Sequence, residues 1–353
     1  MMPVRNEGPY IERSIAAVLA QDYPAGRMEV LVTDGLSSDG TRERLRELER
    51  RHPNLRVLDN PGRIVATGLN LALRRARGDL VVRVDGHCEI APDYVSRCVE
   101  HLEQREADGV GGPLETIGEN FRSRVIALAM SSPFGVGGAS FRTTMGKTML
   151  VDTVAFPAYT REAVERAGPF DEELVRNQDD EYNYRLRELG FRILLAADVR
   201  SRYYSRSSIR SLWRQYFQYG YWKVRVMQKH PRQMKPRQFM PPAFVAFLPG
   251  AALVAVLTPL RWMPLVLGAG AYVGANIAAS VWTARRENWR AVPLLTVSFA
   301  TLHLSYGLGF LTGLARFAGR WRDRTTRGTL TSLSGKPAPV TESPLRSPEE
   351  SIN

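Results

Sequence analysis

Cysteine is nearly absent from this chain: its 353 residues include only Cys88 and Cys98. Two thiols make no disulfide framework, so a small stapled scaffold is excluded and a reducing compartment is expected. The first residues are polar and lack an apolar core, so no signal peptide is expected. Nucleotide-loop signatures are incomplete. Gly146-Lys147-Thr148 has the end of a phosphate loop, but Phe141 stands where its first glycine must be. Gly135 to Gly138 fails as a dinucleotide fingerprint, because Ser140 occupies the last position. No Ser-His-Asp arrangement stands out. Charge is scarcest of all in three late stretches. Residues 241–260 and 262–283 carry none, and 291–315 carry only His303.

Each stretch has the length needed to cross a hydrocarbon core as a helix, and none shows the polar face of an ordinary core helix. The chain therefore divides into an alternating front (1–209), a basic aromatic segment (210–240), a transmembrane region (241–315) and a tail (316–353). The formal net charge is +12, with most of the surplus late in the chain. A basic balance suits nucleic acid or an anionic membrane surface. Trp213, Tyr216, Phe217, Tyr219, Tyr221 and Trp222 are interleaved with Arg210, Arg214, Lys223, Arg225 and Lys229. Next to a membrane segment this pattern favours a helix in the headgroup region over nucleic-acid stacking. The tail from Thr329 is rich in Ser, Pro and Glu and reads as disordered. The basic runs at 284–290 and 316–327 both belong inside by the positive-inside rule, which conflicts with three full crossings. Pro293, Gly307, Gly309 and Gly313 therefore point to a re-entrant segment or tight hairpin at 291–315.

The front alternates strand-like and helix-like runs. "MEVLVT", "LRVLDN" and "DLVVRVD" read as strands, and "ERSIAAVLAQ", "TRERLRELERRH" and "ATGLNLALRRARG" as helices. That order predicts an α/β fold, Rossmann-like, with a mostly parallel sheet covered on both faces. Ligands of such sheets bind outside the carboxyl ends of the strands. Only Pro3 to Arg5 remain of a first strand, so a start upstream is expected.

Two strands end in aspartate, Asp34 and Asp85. Asp34-Gly35 before "LSSDGT" is either turn chemistry or an acceptor for a base or ribose. Asp85 and His87 sit at i and i+2, so in extended chain they point the same way and could share a divalent cation. Gly86 between them would let the backbone approach a ligand. A lone Asp-x-His is more often a turn; its place after a buried strand raises its weight. Asp179, Asp180 and Glu181 open a helix after Gln178. They either complement the helix dipole or form a general base whose proton affinity rises by crowding, with Arg185 and Arg187 near enough to hold the others ionised.

Together these pieces resemble the family 2 glycosyltransferases with the GT-A fold, over roughly Met2 to Ile209. The stretches "MPVRNEGPYIERSIAAVLAQDYP", "VLVTDGLSSDGT", "NPGRIVATGLNLALRRARGD", "VVRVDGHCEIAPDYV", "AGPFDEEL" and "NQDDEYNYRLRELGFRI" stand in the family's order. The variants Asp-Gly-His and Asn-Gln-Asp-Asp-Glu are most similar to the membrane-bound branch of succinoglycan-type exopolysaccharide assembly. The resemblance implies that Pro3, Asn6, Glu7, Asp34, Gly35 and Asp85 bind the donor nucleotide, with Asp34 on its base. It implies that Asp179 is the catalytic residue, with Gln178, Asp180 and Arg185 supporting it or the acceptor. Asp85 matches the first carboxylate of the family's metal-binding Asp-x-Asp. His87 replaces the second, and mixed N/O ligation suits Mn²⁺ better than Mg²⁺. Gln218-Tyr219-Gly220-Tyr221-Trp222 keeps the Gln and Trp of the processive synthases' Gln-x-x-Arg-Trp but not the Arg, which argues against a processive polymerase.

The implied activity is inverting transfer from a nucleotide sugar, expected to be a UDP-sugar, to a hydroxyl of a lipid-linked saccharide. The expected setting is the inner membrane, with a cytoplasmic catalytic domain and polysaccharide-assembly partners. The alternatives are a polyprenyl-phosphate sugar synthase and an inactive assembly subunit of the same fold.

Overall fold

A computed structural model describes residues 1–205, 208–257, 262–285 and 287–327. The tail from Thr329 lies outside the described residues. In chain order the front is β1 (Met2–Val4), α1 (Ile11–Leu19), β2 (Val30–Asp34), α2 (Thr41–Arg51), β3 (Leu55–Asp59), α3 (Val65–Leu73), β4 (Leu80–Val82), β5 (Cys88–Ile90) and α4 (Tyr94–Glu103). There follow β6 (Gly109–Gly112), β7 (Leu114–Ile117), α5 (Phe121–Met130), α6 (Pro133–Val136), α7 (Ser140–Thr143), β8 (Met149–Leu150) and β9 (Ala155–Thr160). Then come α8 (Arg161–Ala167), α9 (Gln178–Glu188), β10 (Ile193–Leu195) and β11 (Ser201–Tyr204).

β1, β2 and β3 pair in parallel, with Val4 opposite Asp34 and Asp34 opposite Asp59. β1 is also bonded on its other side: Val84 N donates to Met1 O at 3.0 Å. That bond carries the sheet onto the chain leaving β4. Beyond it the pairing becomes mixed. β9 runs antiparallel to both β4 and β6, and β10 parallel to β6. The apolar alternation of the strands builds a core on each face. Ile11 and Ile15 of α1, Leu45 of α2 and Val32 fill one; Leu69 of α3, Val164 of α8, Tyr182 of α9 and Val81 fill the other.

The back half holds α10 (Ile209–Lys229), α11 (Met240–Leu257), α12 (Met263–Ala284) and α13 (Val292–Arg316). The last three are the helices long and apolar enough to cross a membrane among the described residues. α10 is a single helix, and it packs against α13 over most of its length. α13 is one unbroken helix, which corrects the reading of 291–315 as a hairpin or re-entrant segment. Its proline sits in the first turn, where the missing N–H costs nothing. Its glycines admit neighbours. A Cβ on Gly309 would strike the Phe217 carbonyl of α10, and one on Gly313 would come within 2.6 Å of the Tyr221 carbonyl. Small residues let two backbones meet, as they commonly do between membrane helices.

Candidate active site

One cavity of about 1140 Å³ opens at the carboxyl ends of the strands and reaches the back-half helices. Pro3, Asn6, Glu7, Asp85, His87, Gln178, Asp179 and Asp180 all line it. Residues expected to act together from distant parts of the chain therefore do share a surface.

The junction of the site is Arg83, which the sequence reading passed over. It is 5% exposed. Its Nε and Nη2 donate to Asp85 Oδ1 at 3.1 and 2.9 Å, and its Nη1 pairs with Asp179. The chain stays extended after β4, since Arg83 N donates to Pro157 O at 2.9 Å. Residues 83 and 85 therefore face the same way. The detectable signal was a guanidinium inside "LVVRVD", where burial demands a partner.

The three acids of α9 do not crowd. Successive helical residues point about 100° apart. Asp179 turns to Arg83, Asp180 to Lys223 of α10, and Glu181 to Arg185 and His230. Burial alone would raise the Glu181 carboxyl, but the hydrogen bond from His230 and the charge of Arg185 hold it below the ordinary carboxylate range. Arg185 thus supports a buried structural acid and does not reach Asp179 or Asp180. Its guanidinium also donates to the carbonyls of Ala167 and Pro169, tying α9 to the end of α8.

Asp34 and Gly35 lie beside the cavity rather than on its wall. Asp34 is 0% exposed; its carboxylate accepts from Ser37 N and Oγ and pairs with Arg42 at 3.5 Å. Its strand partner Val4 and Asn60, whose N donates to Asp34 O at 2.8 Å, do line the cavity. A Cβ on Gly35 would meet Arg5 Cβ at 3.1 Å, so the Asp34-Gly35 turn backs directly onto cavity-lining Arg5. Asn6 stands at φ 55 and clamps the loop after β2: its N donates to Ser37 Oγ at 2.9 Å, and its Oδ1 accepts from Ser38 N at 3.0 Å. Gly86 gives no room to a ligand. A Cβ there would lie 2.8 Å from Val4 Cγ1 and 3.0 Å from Glu7 Cγ, so the glycine serves packing against β1.

The donors available to a divalent ion are Asp85 and His87. His87 Nδ1 meets Glu7 Oε1 at 2.9 Å, the carboxylate support that ligating histidines usually have, which leaves Nε2 as the free donor. Among the described residues no group of three or more His, Cys, Asp or Glu converges on a point. The donor set fits an ion completed by oxygens of a bound diphosphate, not one held by protein alone.

Three buried glutamines also line this cavity. Gln178, Gln215 and Gln233 are 5%, 8% and 8% exposed, and each Oε1 lacks a partner. Gln233 Nε2 is committed to Asp180 O at 2.7 Å, which fixes that amide's orientation. An unpaired buried acceptor is costly. Past the amides the lining becomes Arg237, Phe244, Tyr272, Leu302 and Tyr306.

An α/β fold that brings Asp85, just after β4, and Asp179, in the first turn of α9, to one polar cavity has the architecture of the GT-A glycosyltransferases. The comparisons agree. Residues 1–168 match the model of glycosyl transferase family 2. The chain is 32% identical over 329 residues to succinoglycan biosynthesis protein ExoA of Rhizobium meliloti (strain 1021), covering 91% of this chain and 96% of that one. It is 28% identical over 237 residues to a dolichyl N-acetyl-α-D-glucosaminyl phosphate 3-β-D-2,3-diacetamido-2,3-dideoxy-β-D-glucuronosyltransferase of Methanococcus voltae, covering 65% of this chain and 73% of that one. Among solved structures, mannosyltransferase PcManGT from Pyrobaculum calidifontis, in complex with GDP-Man and Mn²⁺, superposes with a TM-score of 0.55 at 22% identity, over 88% of this chain and 85% of that one. This chain belongs to glycosyl transferase family 2.

Proposed function

We propose that this glycosyltransferase moves a sugar from a nucleotide sugar to a hydroxyl of a lipid-linked saccharide, with inversion, during cell-surface polysaccharide synthesis. The observation that carries this reading is the continuity of the cavity. It runs from Asp85 and Asp179, along Gln178, Gln215 and Gln233, to Phe244, Tyr272 and Tyr306 on the apolar helices. A polar sugar on an apolar carrier matches that gradient. The relatives' names support it, one being a succinoglycan biosynthesis protein and the other a transferase onto a dolichyl-phosphate-linked sugar.

In this reading Asp179 accepts the proton of the acceptor hydroxyl as that oxygen attacks the anomeric carbon. The bond from that carbon to the diphosphate oxygen breaks, and the diphosphate leaves with the electron pair. One displacement needs no enzyme nucleophile. Arg83 holds Asp179 and Asp85 at one point, so base and leaving-group site keep a fixed separation. Asp85 and His87 would hold a divalent ion, which supplies positive charge to the leaving diphosphate. Pro3, Asn6, Glu7 and the Asp34-Gly35 turn form the donor end, and Gln178 and Asp180 the acceptor end. The nucleotide sugar places this domain on the cytoplasmic side of the inner membrane.

Asp179→Asn should abolish transfer to membrane lipid extract while UDP and nucleotide-sugar binding stay within about twofold, since the amide keeps the shape and loses the base. Near-normal turnover in that variant would remove Asp179 from the role.

A further inference from the structure

We propose that the chain crosses the bilayer twice, not three times, and that α13 keeps both ends on the side of the catalytic domain. This goes beyond the transfer reaction; only the side on which the catalytic domain lies rests on the nucleotide-sugar reading.

The N-terminal half of α13 is built into the catalytic domain. Leu295, Phe299 and Leu302 share one core with Val125, Ile126 and Met130 of α5. Just ahead of the helix, Glu287 pairs with Arg124 at 3.7 Å, and further along it His303 Nε2 donates to Phe134 O at 2.8 Å. The other end returns to the same domain through charge. Arg320 pairs with Glu173, Arg327 N donates to Asp171 Oδ1 at 3.2 Å, and Lys229 Nζ donates to Thr325 O at 2.7 Å.

A crossing helix must separate its ends by the hydrocarbon core, roughly 30 Å. Here that would set Arg124 and Glu173 on opposite sides of the bilayer, although both belong to one folded domain. It would also draw the buried cluster of Lys229, Asp171 and Glu173 through lipid, where unpaired charge is most costly.

α11 and α12 behave otherwise. Only 11% of the most apolar stretch of each is buried, against 50% for α13. Their facing ends project: Val256 and Leu257 are 76% and 70% exposed, Val266 and Leu267 63% and 65%. Their other ends lie at the domain, where Lys235 before α11 pairs with Asp152 and Ala284 closing α12 is buried. They form a hairpin that leaves the domain and comes back. The lipid contact of α13 is a stripe, with Pro293, Val297, Leu304, Leu308, Leu311 and Ala315 exposed or half-buried on one face. With two crossings the basic segments at 284–290 and 316–327 fall on one side, as positive-inside charge requires.

The test places single cysteines in the full-length chain at Leu260→Cys, Arg290→Cys and Ser334→Cys. A membrane-impermeant maleimide is applied to intact bacterial cells and again after permeabilisation. Cys88 and Cys98 are buried, and burial pushes both thiols well up, so the native chain serves as the unlabelled control. Arg290→Cys and Ser334→Cys should be labelled only after permeabilisation, and Leu260→Cys in intact cells. Labelling of Ser334→Cys together with Leu260→Cys in intact cells, with Arg290→Cys protected, would mean that α13 crosses. Identical behaviour of all three would mean that the hairpin does not. A second measurement needs no substitution: a fluorescent protein active only in the cytoplasm, fused to the C-terminus of the unaltered chain, should light up, and a phosphatase active only outside should stay silent. The reverse pattern overturns the proposal.

Discussion

Lys229→Met tests whether charge fastens the end of the back half to the catalytic domain. Lys229 and Asp171 are both 0% exposed and paired, and Glu173 lies 3.0 Å from the same ammonium. Methionine keeps most of the volume and removes the charge, stranding a buried carboxylate. Removing one partner of a buried pair costs about 3–5 kcal/mol. Asp171 would still accept from the amides of Glu173 and Arg327 at 3.0 and 3.2 Å, so the low end, about 3 kcal/mol, is expected. Unfolding entropy near 2.1 cal/mol/K per residue gives roughly 0.4 kcal/mol/K for a domain of about 200 residues, hence a melting temperature about 7 °C lower. The assay is thermal unfolding of the full chain in detergent by intrinsic fluorescence. The same variant should expose Arg322, Arg324 and Arg327 to trypsin. Because the pair is coupled, Lys229→Met with Asp171→Asn should cost less than the sum of the single changes. A drop below about 2 °C, or strict additivity, would refute the reasoning.

Acid should loosen the same junction. Burial would raise the Glu173 carboxyl, but hydrogen bonds from Arg225 and Lys229 outweigh it and hold the group at about 2. Its stabilisation is complete above the ordinary carboxyl value near 4.5 and is lost as pH falls from there towards 2; Glu173→Gln should flatten that part of the melting-temperature profile. Gly309→Val should disrupt the α10–α13 contact and cost at least about 1–3 kcal/mol, while Gly270→Val, with open space around it, changes the melting temperature little. Glu7→Gln should weaken Mn²⁺ binding in the presence of UDP by about 10–100-fold, read by Mn²⁺ electron paramagnetic resonance; unchanged affinity would detach Glu7 from the ion.

The elements that hold the site were legible because they rest on local periodicity. A β-branched run ending in Asp85 and a helix opening at Gln178 each announce themselves within ten residues. Two kinds of information were not local. The first is pairing: nothing near Asp179 says that it meets Arg83, 96 positions earlier, and three adjacent acids read as a crowd until helix geometry sends each to its own cation. The second is what a glycine makes room for. Gly307, Gly309 and Gly313 looked like breaks in a membrane segment, and Gly86 like an opening for a ligand. In the fold each admits a neighbouring part of the chain. Asp34 does end β2, but its orientation towards Ser37 and Arg42 depends on a loop whose conformation no spacing encodes.

The backbone contact between α10 and α13 has a mechanical consequence. Gly220 sits against the Tyr306 carbonyl, and one turn further on Lys223 grips Asp180. One turn before Lys223, the Tyr219 carbonyl holds Asn177, and Gln218 holds Arg176. α10 is thus a crossbar with no loop between α13 and the acids of α9. In the proposed topology α13 lies against lipid, so a shift of that helix would reach Asp179 and Asp180 with no flexible joint to absorb it.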